Sequence, residues 1–277
     1  MSRKDKDEPV IDRYRLPTNK KKVSLKDFDT RDKSCFPERD DAEASAADDI
    51  DAIAELQNRL YAEGKQALLI VIQATDTGGK DSTIRKVLGP INPQGVRVTS
   101  FKAPSKIELA HDYLWRIHQA VPPKGMIGVF NRSHYEDVLI VRVHGLAPKD
   151  AIEQRYDQIN EFERNLSENG VTILKFFLHI SKDEQKQRLQ DRLDDPSKHW
   201  KFNPGDLKER ERWDDYQDAF EIALSRCSTR HAPWFVIPAD RKWYRNAIIA
   251  RIIRRTLEDL DPSYPDADFD PSGIVID

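Results

Sequence analysis

Residues 68–83 read LLIVIQATDTGGKDST, an apolar run that leads directly into a loop of small residues and then into a helix-compatible stretch. The loop ends Gly-Gly-Lys at 78–80, an order typical of loops in which backbone N–H groups and a lysine hold phosphate oxygens at a helix N-terminus. It departs from the general pattern G-x-x-x-x-G-K-S/T, because Ala74 replaces the first glycine and Asp81 replaces the hydroxyl residue. The stretch predicts a strand, a phosphate-binding loop and a helix. The alternative is a plain strand-to-helix turn whose glycines only make it tight.

The loop also contains a carboxylate, Asp76, which a loop built only to hold phosphate has no reason to place among anions. A carboxylate in this position suits a loop that binds the magnesium brought by phosphates, or one that steers an attacking oxygen. We therefore expect Asp76 to be a catalytic residue and a metal ligand, with Lys80 as a second catalytic residue. The expected phosphate- or nucleotide-binding residues of the loop are Thr77, Gly78, Gly79, Lys80, Asp81 and Ser82.

The composition favours a soluble intracellular enzyme. A chain of 277 residues with 38% hydrophobic residues can bury one large core. The net charge of −3 argues against a basic nucleic-acid binder, so any site for a polyanion must be a local concentration of cations. The N-terminus lacks the apolar core of a signal peptide, no stretch is long enough to span a membrane, and Cys35 and Cys227 do not suggest a disulfide framework. We expect a cytoplasmic protein that binds neither nucleic acid nor membrane.

Strand and helix patterns alternate along most of the chain, after a charge-dense segment at 1–40 that we interpret as an extended, partly ordered arm. Strands are predicted at 67–72, 96–101, 126–130, 171–180 and 234–238, and helices at 41–63, 80–88, 105–121, 148–169 and 243–260. This alternation predicts a three-layer α/β fold, a parallel central sheet covered by helices, with phosphates bound at the carboxyl ends of its strands. The catalytic domain is expected to span 41–265, followed by a tail at 266–277.

A second polar cluster, FNRSHYED at 130–137, stands at the carboxyl end of the predicted third strand. In enzymes with a phosphate loop this strand end usually offers an acid to magnesium, whereas here the first polar residue is Asn131. Arg132 can clamp phosphate oxygens and stabilise charge during transfer, so we expect it to be catalytic. Asn131 and Asp137 are expected metal ligands, and Asn131 and Glu136 are expected nucleotide-binding residues. Taken alone, the cluster also fits an ordinary polar strand-to-loop transition.

A charged segment at about 184–214 is interrupted at 195–196 and 203–205 by proline-containing turns, which predicts a helical hairpin. Its place after the fourth strand is where phosphate-loop nucleotide kinases carry a lid that closes over the substrates. The alternative is a solvated pair of charged helices. We expect Arg192 to be the catalytic lid residue. The lid cations expected to line a channel for a polyanion are Arg188, Lys198, Lys201 and Arg212.

Together these motifs resemble the family-2 polyphosphate kinases. The matching stretches are ATDTGGKD at 74–81, FNRSHY at 130–135, DPSKHWK at 195–201 and HAPW at 231–234, and the resemblance covers about residues 40–260. It implies a P-loop kinase-like, thymidylate-kinase-like fold and magnesium-dependent phosphoryl transfer between inorganic polyphosphate and nucleotides, with Mn²⁺ as a substitute metal. It also implies a homo-oligomer, either a dimer or a tetramer, and it makes Ala74 and Asp81 ordinary features of the family.

Many members of that family carry aspartate where Asn131 stands and asparagine where Glu136 stands. The pair found here resembles the class III subgroup, which implies that both AMP and ADP are acceptors, with guanine nucleotides as a further class, in a reversible reaction. Two other functions remain open. One is an ATP-dependent nucleotide kinase of the same fold, against which Asp76 argues. The other is a non-enzymatic polyphosphate- or nucleotide-binding regulator, which would require the loss of Lys80 or Asp76.

Overall fold

Five parallel strands form one sheet in the computed structural model, which describes residues 10–18, 22–270, 272, 274 and 276. The strands are β1 Ala67–Gln73, β2 Val96–Ser100, β3 Ile127–Asn131, β4 Val171–His179 and β5 Trp234–Pro238, and their order across the sheet is β2-β3-β1-β4-β5. All residues of β1 are buried, as expected for a central parallel strand with helices on both faces. The predicted parallel α/β sheet is thus confirmed, and the loop after β1 opens at the middle of its carboxyl edge.

Helices cover both faces of this sheet. After a helical segment at 10–14, they are α1 Arg39–Glu63, α2 Lys80–Thr83, α3 Lys106–Leu109, α4 Trp115–His118, α5 Ile140–Val143, α6 Lys149–Glu168, α7 Lys182–Asp194, α8 Gly205–Glu211, α9 Trp213–Cys227 and α10 Lys242–Leu260. Leu68, Ile70 and Ile72 share one core with α1 and α10, whereas Leu69 and Val71 share the other with α6 and α9. This alternation of β1 side chains produces the three layers that the sequence predicted. Within the described ranges, no helix has the length and apolarity needed to cross a membrane.

The helix predicted at 105–121 is divided into α3 and α4. The predicted capping box at its start does form. Between α3 and α4 the Asp112 carboxylate accepts a hydrogen bond from the Leu114 N–H at 2.9 Å, and this local turn competes with the helical pattern. Ile107 is 70% exposed whereas Ile117 is fully buried, so only the second part of the predicted apolar stripe belongs to the core. The helix predicted at 80–88 is regular only in α2 and continues as a π-helix over Ile84–Leu88.

The N-terminal segment predicted as an extended arm packs against the folded domain through a few buried residues. The Leu16 N–H donates to the Trp234 carbonyl at 2.8 Å, and Arg15 forms an antiparallel bridge with Phe235, so the segment covers the outer edge of β5. Its buried residues are Ile11, Tyr14, Leu16, Val23 and Leu25. Charged residues separate these apolar ones, which is why the composition indicated an arm. Residues 1–9 and 19–21 of the predicted arm, and 271, 273, 275 and 277 of the predicted tail, lie outside the described residues.

A buried ion pair joins β4 to α6 below the carboxyl edge of the sheet. Lys175 is fully buried, and its Nζ donates to Glu163 Oε2 at 2.6 Å and to Tyr135 Oη at 2.7 Å. We expect Lys175→Met to destabilise the protein by about 3–5 kcal/mol, because it leaves a buried carboxylate without its counter-charge. Urea unfolding measures this loss, and adding Glu163→Gln should recover much of it. A single variant as stable as the wild type would contradict the prediction.

Candidate active site

The loop between β1 and α2 is shaped by close backbone contacts. A Cβ atom on Gly78 would lie 2.4 Å from the Ala74 Cβ, so the alanine that departs from the general pattern fits only because position 78 is glycine. Thr77 and Gly79 have left-handed φ angles of 60° and 102°. Lys80 folds back along the loop and donates from Nζ to the Ala74 carbonyl at 3.1 Å. The loop thus places its lysine where the following helix begins, as the phosphate-loop prediction requires.

The pKa of the Lys80 ammonium group lies well below that of a free lysine but still above neutral pH. Burial, together with the positive charge of Arg132, lowers the pKa of Lys80 to about 8 against the opposing effect of Asp76, Glu136 and Asp81. A phosphate bound beside it would favour the charged form, because a nearby anion raises the pKa of an ammonium group. Phosphate binding and protonation of Lys80 therefore favour each other.

Arg132 connects the loop to the end of β3. Its Nη2 donates to Asp76 Oδ1 at 2.7 Å and its Nη1 donates to Glu136 Oε2 at 3.1 Å, so the guanidinium lies between the two carboxylates. The two chain segments meet here because β1 and β3 pair in parallel, with Ile72 beside Asn131. The backbone of Arg132 has a left-handed φ of 63°, a conformation that costs energy for a residue with a side chain and that occurs often at functional sites.

Asn131 and Asp81, two residues that depart from general phosphate-loop enzymes, are hydrogen-bonded to each other. Asn131 donates from Nδ2 to Asp81 Oδ1 at 2.6 Å, which joins the end of β3 to the start of α2. An aspartate at 131 would place two carboxylates at this distance, whereas asparagine supplies a donor. The bond leaves the side-chain carbonyl oxygen of Asn131 for other contacts.

A cavity of about 590 Å³ separates the loop from α7 and the following turn, which belong to the lid predicted at about 184–214. The predicted residues that line it are Asp76, Thr77, Gly78, Gly79, Lys80, Asp81, Ser82, Asn131, Arg132, Arg188, Arg192, Lys198 and Lys201. Sequence reasoning missed further lining residues, namely Arg85, Ser100, Phe101, Lys102, Asp191, Asp206 and Lys242. Lys102 and Lys242 could have been found, because each follows a predicted strand at the same edge of the sheet. Among the described residues the lining has nine lysines or arginines and four aspartates, so the cavity is cationic although the chain is not.

The lid residues have different positions. Arg188, which we expect to contact a polyanion, lines the cavity but is mostly buried, and it also supports the loop by donating to the Thr77 carbonyl at 3.1 Å and the Ala239 carbonyl at 2.6 Å. Arg192 donates to Asp206 Oδ2 at 3.3 Å and remains at the cavity wall. Lys198 and Lys201 are exposed at the same wall. Arg212 donates to the Val143 carbonyl at 3.0 Å and is not among the described residues that line the cavity, so the structure does not bring it to the site.

The structure also separates Asp137 from the other expected metal ligands. The Asp137 carboxylate lies 3.4 Å from Arg155 Nη1, and burial raises its pKa to about 6. It faces a second cavity, whereas Asp76 and Asn131 face the first. The strand end turns into a short 3₁₀-helix at His134–Asp137, which directs Asp137 away from the loop. No three acidic, histidine or cysteine residues in the described part of the chain form a ready-made metal cluster.

The second cavity, of about 530 Å³, lies across Arg132 from the first. Its apolar lining residues include Phe101, Leu109, Ile140, Val141, Leu146 and Ala147, and its cations are Lys102, Arg116, Arg132 and Arg155. Leu109 and Leu146 are each 68% exposed, although large apolar side chains are usually covered. An apolar wall beside several cations fits a ligand that has both a flat apolar part and phosphate groups.

A parallel sheet in this strand order, a phosphate loop after its central strand and a helical lid across the cavity define a phosphotransferase of the P-loop kinase-like class. The sequence profile of the polyphosphate kinase 2 family matches residues 37–265. The chain belongs to this family, and it is a transferase that moves phosphoryl groups between polyphosphate and nucleotides.

Relatives with named activities agree with this assignment. The chain is 53% identical over 257 residues to the AMP/ADP-polyphosphate phosphotransferase of Meiothermus ruber, which covers 92% of this chain and 96% of the relative. It is 47% identical over 229 residues to the ADP-polyphosphate phosphotransferase of Rhodopseudomonas palustris, covering 78% and 79% of the two chains. The crystal structure of polyphosphate kinase 2 from Arthrobacter aurescens TC1 has a TM-score of 0.91 at 46% identity and covers 95% of this chain and 94% of that one.

These comparisons confirm the predicted family, the fold and the enzyme class. The roles of the site residues, the identity of the metal, the homo-oligomer and the cytoplasmic location stay predictions.

The lowered pKa of Lys80 predicts an alkaline limit to activity. As the pH rises above about 8, Lys80 of the free enzyme loses its proton and its positive charge, so kcat/KM for polyphosphate should fall. Lys80→Arg keeps the charge at every accessible pH, and its residual kcat/KM should lose the decline near pH 8. The measurement is a pH profile of initial rates for both enzymes. An identical decline in the arginine variant would assign the titration to another group.

Proposed function

We propose that the enzyme transfers the terminal phosphoryl group of polyphosphate to AMP and to ADP, and that the reaction is reversible. The observation that carries the proposal is the position of Arg132, which lines both the cationic cavity below the lid and the apolar cavity beside it. A donor in the first cavity and an acceptor in the second would meet at this guanidinium. The name of the Meiothermus ruber relative, AMP/ADP-polyphosphate phosphotransferase, supports the same pair of acceptors.

Polyphosphate suits the cationic cavity because it is a linear polyanion. Lys80 and the Gly78–Lys80 segment would hold its terminal phosphates, and Lys198 and Lys201 would neutralise charge further along the chain. Neither lid lysine is buried, so each can follow a chain of variable length. Lys198 pairs with Asp195 at 2.7 Å, but this ion pair is on the surface and is therefore weak enough for a polyanion to replace it.

The nucleotide suits the second cavity. Its base and ribose would contact the apolar wall formed by Leu109, Ile140 and Leu146, and its phosphates would face Arg132 and Lys102. An apolar wall selects a flat ring without reading the hydrogen-bonding edge of a base. We therefore propose adenine nucleotides as substrates and guanine nucleotides as a further class.

The residues of the first cavity fit a divalent cation such as Mg²⁺, with Mn²⁺ as a substitute. Asp76 and Asp206 both line this cavity, and the pKa of Asp206 is raised by burial and then by the negative charge of Asp76. These two carboxylates and the side-chain carbonyl oxygen of Asn131, a residue that lines the same cavity, are hard oxygen donors of the kind that Mg²⁺ takes together with substrate phosphates. Bound there, the metal would neutralise part of the charge of the phosphates.

Catalysis in this arrangement is mainly positioning and electrostatics. The transition state of phosphoryl transfer spreads negative charge over the equatorial oxygens of the group in flight. Arg132 would face that charge from the strand side and Arg192 from the lid side, while Lys80 holds the donor phosphate. Asp76 keeps Arg132 oriented through their 2.7 Å hydrogen bond and orients the attacking oxygen or the metal.

The direct test is one-pot conversion of AMP. Purified protein with magnesium and polyphosphate should convert AMP to ADP and then to ATP, resolved by chromatography. Asp76→Asn protein prepared in the same way is the matched control for contaminating kinases, and it should lose at least about two orders of magnitude in rate. Activity should also disappear with a chelator. Conversion of ADP without any use of AMP would leave the family assignment intact and overturn the proposed acceptor range. Transfer from ATP in preference to polyphosphate would overturn the proposed donor.

The residues at 131 and 136 provide a second arm of the same test. The double variant Asn131→Asp with Glu136→Asn introduces the pattern that many family members carry. It should depress the use of AMP more than the use of ADP, because it changes the charge next to Asp81 and removes a carboxylate from Arg132. An equal loss for both acceptors would mean that these positions do not select the nucleotide.

A further inference from the structure

Arg245 lies directly behind the phosphate-binding loop. It belongs to the first turn of α10, and its side chain is fully buried. A Cβ atom at position 79 would lie only 2.1 Å from Arg245 Nη1, so the guanidinium occupies space that only a glycine leaves open. Its Nη2 donates to Ser82 Oγ at 3.2 Å and to Asn246 Oδ1 at 2.9 Å. Nη1 has no hydrogen-bond acceptor among the described residues.

This arginine also lacks a counter-charge. Its hydrogen-bond partners are a hydroxyl group and an amide, and no carboxylate of the described chain lies within ion-pair distance of it. Arg254 of the same helix is buried as well, but its Nε donates to Asp49 Oδ1 at 2.7 Å. Burial, and then the charge of Arg188, lower the pKa of Arg245 to about 9. A buried cation without a partner destabilises a fold, so its presence here points to a ligand that supplies the missing charge.

Other positive groups approach the loop from the same side. Arg188 holds the Thr77 carbonyl, and Lys242 lines the cavity one turn before Arg245. The N-terminus of α10, which extends over 19 residues, begins at Arg241 without a side-chain cap. Aligned peptide dipoles make this helix end partially positive. Together these groups produce a positive field around the loop, in which Arg188 is paired with Glu184 at 2.8 Å, whereas Arg245 has no carboxylate partner among the described residues.

We propose that Arg245 is a positioning residue for the phosphate-binding loop, and that the phosphates of the donor balance its buried charge through the backbone at Gly79 and the Ser82 side chain. The inference rests on the proposed function only in requiring that this loop binds a phosphate chain. Arg245 makes no direct contact with the donor, because it is fully buried and is not among the described residues that line the cavity. The free protein therefore holds an unfavourable charge that phosphate binding relieves.

This role has a consequence that a purely structural arginine would not have: stability and affinity should change in opposite directions. Arg245→Met keeps the volume and removes the charge, so the free variant should unfold at a temperature equal to or above that of the wild type. Its affinity for tripolyphosphate, measured by calorimetry with magnesium present, should fall at least about tenfold. The rise in unfolding temperature that tripolyphosphate produces should shrink accordingly. Arg245→Lys, which retains a cation, should recover part of the affinity.

Arg254→Met is the matched control, since it removes a buried arginine from the same helix that is paired with Asp49. It should lower the unfolding temperature and leave the affinity of the folded protein for tripolyphosphate within about twofold of wild type. The inference is overturned if Arg245→Met binds tripolyphosphate as wild type does, or if it loses stability as the control does. A wild-type protein that does not bind tripolyphosphate at all would instead refute the proposed donor, and this inference with it.

Discussion

The hydrogen-bonded ion pair between Asp76 and Arg132 is the contact on which the rest of the site depends. It joins a loop that follows the central strand to a loop that follows its neighbour, at the 2.7 Å distance of a charge-assisted hydrogen bond. The parallel pairing of β1 with β3 brings these two segments together, and the left-handed backbone of Arg132 turns its side chain toward the loop. Arg132 lines the cationic cavity, the apolar cavity and a smaller pocket under the lid, so its side chain lies where these three spaces meet.

The charged groups around the loop favour ligand binding, although they destabilise the free protein. Burial lowers the pKa of both Lys80 and Arg245, burial and then the charge of Asp76 raise that of Asp206, and the cavity has an excess of cations. Each of these features costs free energy in the absence of phosphate and metal. The large sheet core offsets that cost, since two apolar layers surround a β1 strand that is buried along its whole length. A phosphate chain with a divalent cation would neutralise the same charges. The charged groups that destabilise the free protein are thus the ones that are already in place to bind the ligand.

The sequence predicted what depends on local pattern. The strand, the Gly-Gly-Lys turn and the lysine at 80 follow from periodicity and backbone sterics, and the end of β3 follows from its apolar run. It did not predict what depends on tertiary contacts. The burial of Arg188 and Arg245, the separation of Asp137 from Asp76, and the packing of the N-terminal segment on β5 are set by neighbours distant in sequence. The pairing of Asn131 with Asp81 was predictable only in part. The sequence shows that both residues depart from the general pattern and follow neighbouring strands, but it does not show that they are in contact.

In the proposed function, donor and acceptor occupy separate cavities and meet at Arg132. A crystal structure of the protein with AMP, tripolyphosphate and magnesium tests it most directly. We expect tripolyphosphate against the Gly78–Lys80 segment, including the Lys80 side chain. The nucleoside should lie against Leu109, Ile140 and Leu146, with the AMP phosphate within hydrogen-bonding distance of the Arg132 guanidinium. A nucleoside in the cavity between the loop and the lid, with its phosphates on Lys80 and no ligand in the apolar cavity, would contradict it.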